Sequence, residues 1–222
     1  ELGFGPGGQR AAPTDFDGDG WTDLLVLGDN ESDTRLWLNR GGKRFTDATD
    51  RLGPKAPRGI AETGLWFDAD GDGDLDLYLV YLGRAIDRVG PAADGANGQP
   101  NELFLNDGGR LRRATAGSGL EDPHWGWAAQ AFDADGDGDD DVFLCNLWGA
   151  SRLLLSDGRG RFSEAAAGLG PKTLCRGAAA ADADGDGRPD LFVSAGTGPQ
   201  ALFESFASTP PRPLTDQAAF TQ

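Results

Sequence analysis

Short apolar runs punctuate a polar, glycine-rich chain: Leu24–Leu27, Leu77–Val80, Val142–Leu144 and Leu191–Val193. Each has the length of a buried β-strand and is too short for a helix of the usual kind. A second element follows in the same order. Arg35-Leu36-Trp37-Leu38-Asn39 leads through Gly41-Gly42 to Phe45-Thr46-Asp47; Glu102-Leu103-Phe104-Leu105-Asn106 leads through Asp107-Gly108-Gly109 to Leu111. Arg152-Leu153-Leu154-Leu155-Ser156 leads through Asp157-Gly158-Arg159-Gly160 to Phe162-Ser163-Glu164. A strand, a glycine-rich turn and another strand is the signature of a hairpin. With the segment leading into each apolar run, the unit has four strands. Such units at spacings of roughly 50 to 65 residues predict propeller blades, hence an all-β fold. Trp37, at the hairpin position of Phe104, Leu154 and Phe203, is expected in the core, and Trp66 and Trp127 are expected to pack.

Ahead of every apolar run stands the same acidic loop, beginning at Asp15, Asp68, Asp133 and Asp182. Carboxylates this dense repel one another unless a hard, oxygen-seeking cation neutralises them, and calcium accepts about 6–8 oxygens. The side-chain oxygens are assigned to Asp15, Asp17, Asp19 and Asp23; Asp68, Asp70, Asp72 and Asp76; Asp133, Asp135, Asp137 and Asp141; and Asp182, Asp184, Asp186 and Asp190. At the seventh position Trp21, Asp74, Asp139 and Arg188 have nothing in common, which fits ligation through a backbone carbonyl. The EF-hand reading fails, because it needs an acid at position 12 and a helix on each side. Here position 12 is Val26, Leu79, Leu144 or Val193, each inside a strand. About four Ca2+, one per repeat, are expected.

The formal charge of −16 over 222 residues changes meaning in that light. Four divalent ions would cancel half of it, so much of the excess acid is site chemistry. Nucleic acid and anionic membranes are excluded as partners, since phosphate needs a basic face. No apolar stretch approaches the ~20 residues of a transmembrane helix, so no membrane insertion is expected. The sequence opens at Glu1 and contains no Met, so an initiator residue and any leader are expected outside it. Loops of this kind suit the millimolar calcium of an exported protein, secreted, cell-surface or periplasmic. Cys145 and Cys175 permit one disulfide there, two separate buried thiols being the alternative.

Gly64-Leu65-Trp66-Phe67-Asp68-Ala69-Asp70-Gly71-Asp72-Gly73-Asp74-Leu75-Asp76-Leu77-Tyr78, followed by Asn101-Glu102-Leu103-Phe104-Leu105-Asn106-Asp107-Gly108, resembles the FG-GAP/VCBS repeat of integrin-α-type and ASPIC/UnbV-like propellers. The resemblance runs over most of the chain. It implies a calcium loop between the first and second strands of each blade. Relatives of this kind usually have seven blades, whereas four units are present here. The expected architecture is a four-bladed β-propeller, a single domain over 1–222 with blades at 1–50, 51–116, 117–167 and 168–222. Phe220-Thr221-Gln222 read into Glu1-Leu2-Gly3 as a continuing motif, so the C-terminal segment is expected to supply the outer strand of the last blade and close the ring. The alternative is a fragment of a larger, seven-bladed propeller.

If calcium loops occupy one face, the other gathers Gly28–Thr34, Leu82–Pro100, Ser118–Trp127, Leu147–Ala150, Pro171–Arg176 and Gly196–Pro199. Candidate ligand-binding residues there are Arg84 and Arg88, in a long insertion that is either functional or disordered, with His124, Trp125 and Trp148, whose rings could stack on a sugar or anchor a peptide. No nucleophile with its base, phosphate loop or histidine cluster can be placed, so no enzymatic activity is expected. The function predicted is a calcium-stabilised recognition or adhesion module for a protein or glycan; the alternative is a structural spacer in a larger secreted protein.

Overall fold

A computed structural model describes residues 10–29, 32–82, 96–165 and 174–196, together with the backbone of 201–204 and 212–213. Its strands fall into four antiparallel sheets of four strands, each taken from consecutive chain. Sheet 1 holds β1 (Ala11–Thr14), β2 (Asp23–Val26), β3 (Arg35–Asn39) and β4 (Phe45–Asp47). Sheet 2 holds β5 (Ala61–Phe67), β6 (Asp76–Tyr81), β7 (Glu102–Asn106) and β8 (Leu111–Arg113). Sheet 3 holds β9 (Trp125–Phe132), β10 (Asp141–Trp148), β11 (Arg152–Ser156) and β12 (Phe162–Glu164). Sheet 4 holds β13 (Cys175–Ala181), β14 (Asp190–Ala195), β15 (Ala201–Glu204) and β16 (Arg212–Pro213). A short 3-10 helix, Thr49–Leu52, follows sheet 1. The repeat read from the sequence is therefore the sheet, strand for strand.

Apolar faces of successive sheets meet in three cores. Leu36 and Leu38 of sheet 1 pack with Leu77, Leu79 and Phe104 of sheet 2. Tyr78, Val80 and Leu103 on the other side of sheet 2 meet Val142, Leu144 and Leu154 of sheet 3. Phe143 and Leu153 meet Leu191 and Val193 of sheet 4. Since side chains alternate across a strand, a sheet covered on both faces buries every residue, and all six residues of β6 are buried. The disulfide between Cys145 of β10 and Cys175 of β13 ties sheet 3 to sheet 4.

One core assignment is corrected. Trp37 is only half-buried, while Leu36 and Leu38 beside it are 0% and 1% exposed. The reason is position in the series. Phe104 faces sheet 1 and Leu154 faces sheet 2, but the same position in β3 faces away from sheet 2, where no core of the described residues lies. Trp66 packs as expected, its ring 5.7 Å from Phe16 and its Nε1 donating to the Ala12 carbonyl at 3.3 Å.

The first strands pack in sequence, β1 on β5, β5 on β9 and β9 on β13. At one end of these strands Arg10 pairs with buried Glu62 at 2.6 Å, and Thr63 Oγ1 donates to the Trp127 carbonyl. Arg176 of β13 lies 4.7 Å from the centroid of the Trp127 ring, and Arg10 lies 6.0 Å from it. Trp127 thus packs under two guanidinium groups, one from each end of the series. The C-terminal segment supplies β16 at the outer edge of sheet 4; Phe220–Gln222 and Glu1–Gly3 lie outside the described residues.

Candidate functional site

Every acidic loop joins the first strand of a sheet to the second, so all four open on the same side of their sheets. Glycines make the turn possible. Gly71 and Gly73 have φ of 75° and 90°, values at which a Cβ meets the following carbonyl. The first aspartate of each loop then collects backbone donors. Asp68 accepts N–H groups from Gly71 and Gly73 at 2.8 and 2.9 Å, and Asp182 accepts those of Gly185, Asp186 and Gly187. The fifth-position aspartates hold the seventh: Asp19, Asp72, Asp137 and Asp186 accept from the N–H of Trp21, Asp74, Asp139 and Arg188.

The ninth aspartate has a role the sequence reading did not assign. Asp76 accepts from Ala69 N at 2.8 Å with one oxygen and from Asn106 N at 2.7 Å with the other. Asp23 does the same for Phe16 and Asn39, and Asp141 for Ala134 and Ser156. A buried carboxylate thus ties loop, second strand and third strand together in sheets 1, 2 and 3, and in sheet 4 Asp190 accepts from the loop's Ala183 N at 2.9 Å. Asn39 and Asn106 complete the latch, each donating its amide to the carbonyl before the ninth aspartate and accepting an N–H from its own hairpin turn. The only sequence signal for these partners is a recurring Asn or Ser at the end of the third strand.

In loops two to four the first, third and ninth aspartates bring one carboxylate oxygen each within 4.8 Å of one another: Asp68, Asp70 and Asp76; Asp133, Asp135 and Asp141; Asp182, Asp184 and Asp190. In loop one the grouping is Asp15, Asp17 and Asp19. Burial pushes Asp76 and Asp141 up to about 6, against the pull of their backbone donors and with neighbouring aspartates adding to the rise. Burial likewise raises Asp23, Asp70 and Asp135. Asp17 Oδ1 and Asp70 Oδ1 are buried without a hydrogen-bond partner. An oxygen acceptor sealed from water, without a donor and among like charges, is what a cation would satisfy. The four clusters could therefore hold metal ions.

The links between second and third strands, and between sheets, lie on the opposite side. They bond to one another: Ala61 N donates to Gly28 O, Thr34 N to Pro57 O, Asn101 N to Asp122 O and Leu174 N to Leu147 O. The structure brings His124, Trp125 and Trp148 together here. Trp125 and Trp148 are register partners of β9 and β10, all three are half-buried, and Trp125 Nε1 donates to Asn97 Oδ1 at 3.1 Å. His124 Nδ1 is 2.8 Å from buried Asp122, which also accepts from Arg152 at 2.9 Å. A Cβ on Gly149 would stand 2.3 Å from the His124 ring, so glycine keeps that imidazole in place. Arg84 and Arg88 lie outside the described residues.

Residues 15–79 and 133–193 match the model of the FG-GAP-like repeat. No curated protein matches the chain. Among solved structures it is similar to one described as the structural basis of specific recognition of non-reducing terminal N-acetylglucosamine by an Agrocybe aegerita lectin, with a TM-score of 0.55 at 20% identity. The match covers 94% of this chain and 52% of that one, so the chain spans about half the lectin's length. At this identity the likeness is one of fold. Neither match indicates an enzyme family.

Proposed function

We propose, from the premise that the chain belongs to the FG-GAP-like repeat family, that it is a calcium-stabilised glycan-recognition module. The observation that carries the glycan reading is the fold shared over 94% of the chain with a lectin that recognises terminal N-acetylglucosamine. The Asp clusters supply the calcium part, Ca2+ being the abundant oxygen-seeking cation outside cells. Each ion would be held by the aspartates of one loop, with the carbonyls of Trp21, Asp74, Asp139 and Arg188 in supporting positions, and would cancel charge that otherwise strains the turn. Recognition is assigned to the opposite face. There half-buried Trp125 and Trp148 offer apolar rings to the C–H face of a sugar, and His124, braced by Asp122, offers a ring nitrogen to a hydroxyl. The Cys145–Cys175 disulfide supports an oxidising, exported location.

Glycan-array binding by the calcium-loaded protein, compared with Trp125→Ala/Trp148→Ala, tests the reading. Binding to terminal N-acetylglucosamine or another neutral sugar should be lost in the double variant with its melting curve intact. A protein that binds no sugar, or a variant that binds as well as the parent, ends it.

The same reading takes the four sheets as consecutive blades of one ring over 1–222, divided near 50, 116 and 167. Arg10 and Arg176, from the first and last sheets, both lie over Trp127, which favours closure. An arc of a larger ring is the second reading, favoured by half-buried Trp37, on the side of sheet 1 where no core of the described residues lies, and by the 52% coverage. A thiol placed by Trp37→Cys would be protected from a thiol reagent in a closed ring and would react at once in an open arc.

A further inference from the structure

We infer that the groove between the link after sheet 1 and the outer strand of sheet 2 is a second binding site, for an anionic saccharide held through its sulfate or carboxylate groups. The groove has a volume of about 1120 Å³ and is lined by Lys55, Arg58, Arg110, Arg112 and Arg113 against two acids, Asp50 and Glu102. Four of the chain's 20 basic residues thus turn toward one groove, with two of its 36 acidic ones, while Arg112, opposite Leu105 in the register, turns toward the other face of sheet 2. All five are exposed. In a molecule of charge −16 this is a local inversion of sign.

Their existing partners leave capacity. Arg110 faces Asp50 at 3.5 Å, with both side chains more than half exposed, a pair worth little in water. Arg113 is held by Glu102 with its guanidinium 5.3 Å from the Phe104 centroid, and Arg58 pairs with Asp33 at 2.5 Å. Lys55 has no ion pair among the described residues. Guanidinium groups fixed in this way present a planar fork that matches carboxylate and sulfate oxygens.

Shape and floor select the class of ligand. Arg110 belongs to the β7–β8 turn on the Asp-loop side and Arg58 to the link on the other, so the groove runs from one face of the sheets to the other. Its volume exceeds the roughly 300–1,000 Å³ of small-molecule sites, as an extended ligand requires. A single-stranded nucleic acid needs aromatic faces to stack on, and Phe104, 2% exposed, is covered. An acidic protein partner needs an apolar anchor pocket, and Leu52 and Leu111 are sealed at 1% and 3%. A thin, hydrophilic, charged sugar chain needs neither. At about 0.15 M salt the Debye length is roughly 8 Å, so a ligand in the groove responds to these cations more than to distant aspartates. Choosing sugar among polyanions rests on the glycan reading above.

Titration calorimetry on the calcium-loaded protein tests the site, using a heparin-derived octasaccharide, an oligogalacturonate, a neutral chito-oligosaccharide and a single-stranded oligonucleotide. At least one anionic sugar should bind, about tenfold or more weaker at about 0.5 M than at about 0.15 M salt; the sulfated and carboxylated probes tell the two head groups apart. Lys55→Glu/Arg110→Glu should weaken that binding at least about tenfold while leaving the melting curve and chito-oligosaccharide binding unchanged. Should this variant fail to fold, Lys55→Ala/Arg110→Ala should weaken binding in the same direction. Absence of anionic-sugar binding, indifference to charge reversal, or tighter binding of the oligonucleotide overturns the inference. If only the chito-oligosaccharide binds, the groove is refuted and the tryptophan face survives; if only an anionic sugar binds, the reverse holds.

Discussion

In the first acidic loop a guanidinium already does part of a metal ion's work. Arg40 reaches Asp17 at 2.9 Å and Asp19 at 3.6 Å. At the same point of their hairpins, the second and third loops have Asp107 and Asp157. Loop one is therefore neutralised in part from within, and the hairpins beside loops two and three have an acid where loop one has this guanidinium. The oxygens that cluster differ as well, the first, third and fifth aspartates in loop one and the first, third and ninth elsewhere. One motif thus gives two electrostatic arrangements, and on the calcium reading proposed above the loops without such a guanidinium depend more on a cation from solution than loop one does.

Chelation is the strongest way to break this comparison. Each site at a hundredfold excess over its dissociation constant contributes about 2.7 kcal/mol to the folded state. In a chain of this size each kcal/mol moves Tm by roughly 2–4 °C. Three dependent loops predict a fall on the order of 15 °C or more when calcium is removed, read by scanning calorimetry. An unchanged Tm in a preparation shown to have lost its metal would remove the premise that loops two to four need an ion.

The next effect separates the two roles within a loop. Asp141→Ala removes both backbone acceptors at once, stranding the N–H groups of Ala134 and Ser156. Each buried unsatisfied donor costs about 1–3 kcal/mol, so urea unfolding should show a loss of about 2–5 kcal/mol that persists in chelator. Asp135→Ala, whose one described backbone contact is from Asp137 N at 3.2 Å, should be felt chiefly when calcium is present. If the two variants behave alike in chelator, the latch is no more than another ligand.

Arg40→Ala addresses loop one itself. Without the guanidinium, Asp17 and Asp19 lose their internal counter-charge, and calcium affinity at that loop should rise about three- to tenfold, at some cost to the metal-free protein. Trp21, 47% exposed and held by Asp19, is a fluorescent reporter inside that loop. An unaltered calcium titration of Trp21 emission would show that Arg40 does not compete for the site.

What could be read from the sequence was local. The four-strand units followed from the spacing of aspartates, apolar runs and glycine turns, all within stretches of a few dozen residues, and each became a sheet. Contacts joining distant stretches were hidden. Asp76 meets Asn106 30 residues on, and nothing in the loop motif distinguishes a ligand from a latch. Trp37 read as core because its hairpin position matches Phe104, but burial there depends on which sheet lies alongside. The Cys145–Cys175 pairing could be allowed from the sequence but not chosen, since it joins two sheets. Lys55 and Arg110 come from different hairpins, so their common groove appears only after folding.

The smallest expected effect lies at the converging ends of the first strands. Glu62 is buried beside Arg10, and burial outweighs the arginine, holding its carboxyl above the usual value of 4.5. A raised acid binds more protons folded than unfolded, so its contribution to stability is greatest below the unfolded pKa and is lost as pH climbs through the folded one. Glu62→Gln removes that titration while keeping the side-chain volume and one acceptor for Arg10. The variant should therefore gain on the parent as pH rises through the range in which the folded carboxyl loses its proton, by no more than a few degrees in Tm, and match its pH dependence well below the usual value of 4.5. A parent that instead becomes more stable than the variant as pH rises would mean that the Arg10 pair overrides desolvation, and that charge at these strand ends supports the packing of sheet 1 on sheet 2.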